Sequence, residues 1–114
     1  MIRRVTDRST FARFRQGSRA RCGPLQVRYV EADPAAPDLV RVAYAIGRPM
    51  GNAVERNRAR RRLRSAVREL DTSGQVPPGA YLVSLSSPVR AVPYPELMSH
   101  LGTAISRAAT TSGR

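Results

Sequence analysis

The chain contains no lysine and no tryptophan, a single cysteine, a single histidine and only two phenylalanines. Cys22, being alone, excludes an intramolecular disulfide and a cysteine-based metal cluster. With His100 as the one imidazole and eight scattered acids, no pair of carboxylates is spaced to hold a metal or to share acid–base work. Ser84, Ser86 and Ser87 have no base nearby in sequence, and Gly47 and Gly51 do not make a Walker pattern. These absences argue against a self-contained enzyme. No apolar run approaches the roughly 18–20 residues of a membrane span. The opening MIRRVTDRSTF has charge but no apolar segment after it, so it does not read as a secretory signal. A cytoplasmic protein is expected.

Acid is scarce too. Twenty basic residues, all arginine, face eight acids, for a net charge of +12 in 114 residues. Such a field favours nucleic acid or an anionic membrane as partner and says nothing about fold. The absence of lysine, with abundant Ala, Pro and Gly, is what a GC-rich coding bias produces. Arginine nonetheless brings a planar fork that grips phosphate bidentately and stacks on bases.

An apolar fraction of 41% supports a folded chain, and the length fits one domain spanning 1–114. Residues 1–6 read as a basic tail and 109–114 as a frayed end. Asp7 to Gln16 reads as a short helix capped by Asp7 or Ser9, with Gly17 after it. Leu25 to Val30 and Leu39 to Gly47 alternate as strands, the second with Val40, Val42, Tyr44 and Ile46 opposite slimmer Ala43, Ala45 and Gly47. Asn52 with Glu55 resembles a capping box that opens a helix to about Leu70. A third strand, Ala80 to Ser86, precedes a helix with Leu97, Leu101, Ile105 and Ala108 at core-facing spacing. The expected fold is α+β: a two-layer α/β sandwich with a mixed sheet of three to four strands and three helices.

Six of the nine residues from Arg56 to Arg64 are arginine. At about 3.6 residues per turn, Ala59, Leu63, Val67 and Leu70 form an apolar stripe. Asn57, Arg61, Arg64 and Arg68 recur on the roughly opposite face, with Arg58 and Arg62 flanking it and Arg56 and Arg60 nearer the apolar border. One side can dock on a sheet while the other presents guanidinium groups. A membrane-surface helix fits less well, because the apolar stripe lacks aromatics. A helix-turn-helix DNA reader would need a pair of short helices that the chain does not show. A general RNA-binding module, such as a ribosomal protein, stays open on charge alone.

The order of residues narrows this. Ala53, Arg56-Asn57-Arg58, Ala59, Arg60-Arg61 and Arg64 together resemble the signature of the bacterial ribonuclease P protein subunit, with Ala59 where that family usually has Leu, Ile or Val. Phe11, Phe14 and Gly17 fit the family's opening helix, with the aromatics three apart in place of the usual four. The resemblance implies a left-handed β-α-β crossover holding the Arg-Asn-Arg helix, where spacing alone predicts the common right-handed one. It implies a catalytic RNA partner that uses Mg²⁺, bound mainly by the RNA, to cut the 5′ leader from precursor tRNA. It assigns contacts with the catalytic RNA to Arg48, Arg56, Asn57, Arg58, Arg60, Arg61 and Arg64, and Arg68, on the same polar face of the helix, joins them. It assigns the leader to Phe11, Phe14 and Arg28, in a cleft between the first helix and the sheet, and it implies no catalytic residue within the chain. Arg15 joins that set because single strands are held by aromatic stacking beside a positive groove.

Overall fold

The structure is a computed structural model and describes residues 2–112. Five strands form one sheet: β1 (Ile2–Arg4), β2 (Ser18–Cys22), β3 (Leu25–Val30), β4 (Val40–Ala45) and β5 (Gly79–Leu85). Their spatial order is β1-β4-β5-β3-β2, with β1/β4 and β4/β5 parallel and the remaining pairs antiparallel. Three helices complete the α+β architecture: α1 (Arg8–Arg13), α2 (Ala53–Thr72) and α3 (Tyr94–Ser112). The unit β4–α2–β5 joins two adjacent parallel strands, so α2 is the crossover helix.

The sheet has one strand more than the upper end of the expected three to four, and two of its strands, β1 and β2, are not expected from the sequence. The first six residues are not simply a tail, because Ile2 to Arg4 pair in register with Val40 to Val42 on the exposed edge of β4. β2 alternates serine, alanine and cysteine with arginine, a pattern without the β-branched or aromatic residues that usually mark a strand. It forms because its small side chains face α3, where Ser18 Oγ donates to the Ala108 carbonyl at 2.5 Å. That contact and the buried Ala108 keep α3 helical as far as Ser112, well into the stretch expected to fray. Residues 113 and 114 lie outside the described residues.

α2 and α3 cover one face of the sheet. Leu25, Val27, Val42, Tyr81 and Val83 meet Leu63, Val67, Leu97, Leu101 and Ile105 there in a single apolar core. Asn52 caps α2 as expected, its side chain accepting from the Glu55 N–H at 2.9 Å while Glu55 accepts from the Asn52 N–H at 3.0 Å. α1 lies on the opposite face, where Phe14 packs with Val5, Val30 and Ala80 in a second, smaller cluster. The helices therefore divide two and one across the sheet. That division leaves much of the second face open beside α1, and it exposes the outer side of α2.

α1 is shorter than Asp7 to Gln16, its last residues closing in tight turns in which the Gln16 N–H bonds the Arg13 carbonyl at 3.1 Å. Asp7 is the cap. It accepts from Thr10 Oγ1 at 2.5 Å, from Ser9 Oγ at 2.7 Å and from the Thr10 N–H at 2.9 Å, and it pairs with Arg41 at 2.8 Å. The Thr10 hydroxyl above all, then Ser9 and the Thr10 N–H, hold the Asp7 carboxyl well below the usual carboxylate range. A depressed folded-state value contributes stability that is complete above the unfolded value, about 3.9, and fades as pH falls through the folded one. Asp7→Asn is therefore expected to melt below wild type at pH 7, with the gap closing progressively below about pH 4. Melting curves from pH 7 to pH 2 check this; a gap that stays constant would remove the carboxylate's charge from the account.

Candidate nucleic-acid interface

Helix α2 resolves into the two sides that its sequence implies. Ala59, Leu63, Ala66, Val67 and Leu70 are buried against the sheet and α3. Asn57, Arg58, Arg61, Arg64 and Arg68 are exposed, whereas Arg56, Arg60 and Arg62 are half-buried at the borders. Arg48 is exposed on the short 3₁₀ turn (Arg48–Met50) just before the helix. Among the described residues, no arginine of α2 lies within ion-pair distance of a carboxylate. Glu55, in the first turn of the helix, is occupied by its capping role and by Arg90 at 2.6 Å. Its carboxyl is held low first by the Asn52 N–H and then by Arg90. The ridge of positive charge is therefore left for an external partner, since like-charged neighbours on one helix face repel by a few tenths of a kcal/mol per pair.

The arginines are not equivalent. Arg62 is spent inside the protein: its Nη1 donates to the Val89 carbonyl at 2.7 Å and its Nη2 to the Val92 carbonyl, which pins the segment between β5 and α3. Arg60 Nη1 donates to Asn57 Oδ1 at 2.9 Å and so orients the asparagine between its flanking arginines. The Arg56 Nε is the one buried side-chain polar atom without a partner among the described residues. Arg64 lies over the Tyr44 ring, 5.8 Å from its centroid. Burial pushes the Tyr44 phenol up to about 12 despite the opposing pull of Arg64 and Arg68, so it stays a neutral hydroxyl.

The second surface is the open sheet face beside α1. Strand register places Arg19, Arg28, Leu82 and Ala43 in one row, and Arg21, Gln26, Ser84 and Ala45 in the next. The small side chains of Ala43 and Ala45 keep this floor shallow, with guanidinium groups along one side. Arg28 is half-buried and donates through Nη1 to the Phe14 carbonyl at 3.3 Å, which ties the floor to α1. Arg15 is exposed. The two phenylalanines separate clearly. Phe11 is 42% exposed, whereas Phe14 is 1% exposed in the core, so Phe14 cannot present its ring to a base and leaves the leader assignment. Phe14 acts on the site only as a support, meeting Phe11 edge to face at 6.0 Å.

Sequence alone does not single out Arg41. It shares the open face through its pairing with Ala80 and Arg3, and it anchors Asp7 at the base of α1. The signal for it is its place in β4, in alternation with Val40 and Val42 and in line with Ala43 and Ala45. His100 is half-buried, between Glu96 at 3.6 Å and Cys22 Sγ at 3.4 Å, away from both surfaces. Among the described residues, no group of three or more His, Cys, Asp or Glu side chains is placed to hold a metal ion. No helix among them is long and apolar enough to cross a membrane.

Residues 2–109, nearly the whole chain, match the family profile of ribonuclease P. The chain belongs to the ribonuclease P protein family. That family's role lies in tRNA processing, as a component of the ribonuclease P holoenzyme. A ribonuclease P protein component from Nocardioides is 40% identical over 91 residues, covering 79% of this chain and 72% of the relative. Another, from Bartonella quintana, is 34% identical over 108 residues and covers 90% and 80%. The fold is shared with the ribonuclease P protein of Staphylococcus aureus, at a TM-score of 0.73 and 17% identity over 96% of both chains. The Thermotoga maritima ribonuclease P protein gives 0.71 at 20% identity, covering 91% of this chain and 96% of that one.

Proposed function

We propose that this chain is the protein subunit of a ribonuclease P whose catalyst is RNA. In this reading it docks on the catalytic RNA through Arg48 and the exposed arginines of α2, and it holds the 5′ leader of precursor tRNA across the open sheet face. The observation that carries the reading is the unpaired arginine ridge of α2, backed by a fully buried apolar stripe. Arginine side chains on a rigid helix recognise phosphate spacing and groove shape more than base sequence, which suits a large folded RNA.

The chemistry of leader removal lies with the RNA and Mg²⁺. The residues of the two surfaces do not fit a magnesium site of their own: they present guanidinium donors, and oxygen ligands of the kind Mg²⁺ demands are not clustered among them. What the side chains supply is neutralisation and placement. Exposed guanidinium groups offset phosphate repulsion where RNA segments converge, so less Mg²⁺ is needed to hold the folded RNA. On the other face, Phe11 offers a ring for a leader base, while Arg15, Arg19 and Arg28 follow its backbone. Stacking of one base on an aromatic side chain is worth roughly 1–3 kcal/mol.

Reconstitution tests the reading. Added to the cognate catalytic RNA at low Mg²⁺, the protein is expected to stimulate leader removal from precursor tRNA. Failure to stimulate, together with equal affinity for the catalytic RNA and for bulk ribosomal RNA, would favour a general RNA-binding module.

A further inference from the structure

The α2 ridge does not end on open surface. Beyond Arg64 and Arg68 it reaches a cavity of about 290 Å³ between α2 and the edge strand β1. Its apolar wall is formed by Ile2, Val42 and Tyr44. Arg4 reaches in from β1, with Arg3 contributing to the rim; Arg64 and Arg68 come from α2, and Asp71 is the one carboxylate in the lining. Register explains the assembly: Ile2 and Arg4 pair with Val40 and Val42, so both point to the same side of the sheet as Tyr44.

Three guanidinium groups, those of Arg4, Arg64 and Arg68, beside an apolar, aromatic wall match a ligand that is flat and apolar at one end and anionic at the other. The volume lies just below the usual range for ligand sites, roughly 300–1,000 Å³, so the cavity is sized for a ligand no larger than a single nucleotide. RNA that tracks along the ridge presents such a unit wherever a base is unpaired. RNA-binding proteins take up splayed-out bases by stacking them on aromatic or guanidinium planes.

We infer that this cavity receives one unpaired nucleotide of the partner RNA, its base against Tyr44 and Ile2 and its phosphate among Arg4, Arg64 and Arg68. The inference rests on the RNA-docking reading of α2 and adds a defined ligand to its end. Asp71 accepts hydrogen bonds only, so it favours bases that carry an exocyclic amino group over uracil. β1 thereby acquires a role: it closes the cavity and brings Arg4 to it.

Titrating the full chain with guanosine 5′-monophosphate, uridine 5′-monophosphate and inorganic phosphate, followed by NMR at Tyr44 and Ile2, tests this. Saturable shifts are expected with the guanine nucleotide at least tenfold more tightly than with phosphate, and more tightly than with the uridine nucleotide. Arg4→Ala, at an exposed position, is expected to weaken guanine-nucleotide binding several-fold, Tyr44→Leu about tenfold, and Asp71→Asn to erase the preference over uridine. Nucleotides binding no more tightly than phosphate, or shifting only the outer ridge, would overturn the inference. The titration needs no catalytic RNA, so its failure beside a successful reconstitution removes the cavity alone. A positive titration beside a failed reconstitution keeps the cavity and removes its ribonuclease P setting.

Discussion

Replacing Arg61, Arg64 and Arg68 together by alanine is expected to lower affinity for the catalytic RNA roughly a hundredfold at moderate salt. Each exposed arginine that meets a phosphate adds about one to the slope of log affinity against log salt. Between about 0.15 M and 1 M salt such a slope is worth roughly sixfold per contact, and three contacts compound. The triple variant should therefore show a slope shallower by about three.

Protein stability should move the other way. These three side chains are exposed, none is paired with a carboxylate among the described residues, and they lie three and four residues apart. Their removal relieves mutual repulsion of a few tenths of a kcal/mol per pair, and alanine is the better helix former. The opposing effect is the loss of the Arg64 guanidinium from the Tyr44 ring. Opposite signs for binding and for melting temperature identify a surface kept for a partner at some cost to the fold. An unchanged salt slope would mean that the RNA lies elsewhere. Salt-dependent filter binding and thermal melting on the same preparations decide it.

Much of this surface was legible in the sequence because α2 carries strong, mutually consistent signals. Asn52 and Glu55 mark its start, the stripe from Ala59 to Leu70 marks its buried side, and arginine fills the remainder. β3, β4 and β5 were legible through alternation with bulky β-formers, and α3 through its leucines. The edges were not. β1 is too short to carry a pattern and exists because β4 offers an unpaired edge. β2 carries small residues that pack on α3, so its alternation lacks the usual bulk. The open sheet face depends on partners distant in sequence: Arg19, Arg28, Leu82 and Ala43 align only once four strands are in register. Arg62 shows the limit of reading charge by type, since its guanidinium holds two backbone carbonyls and is withdrawn from the ridge.

The same limit applied to the two phenylalanines, and the structure turns it into the sharpest contrast the chain offers. Phe14→Ala is expected to cost about 3–5 kcal/mol of stability, the usual cost for a buried ring. It empties the centre of the small cluster with Val5, Val30 and Ala80 that holds α1 on the sheet. Against a total of about 5–15 kcal/mol for a domain, that leaves a marginal fold, so binding of every RNA should fall together. Phe11→Ala, three residues earlier, should change stability by no more than about 0.5 kcal/mol. If the exposed ring stacks a leader base, that variant loses roughly 5- to 150-fold in affinity for precursor tRNA, the equivalent of about 1–3 kcal/mol, and nothing for mature tRNA. Equal losses on both substrates would exclude stacking on the leader. A large fall in melting temperature for Phe11→Ala would place its ring in the core and return the leader face to the arginines alone. Measured side by side, the pair separates a ring that builds α1 from a ring that α1 presents.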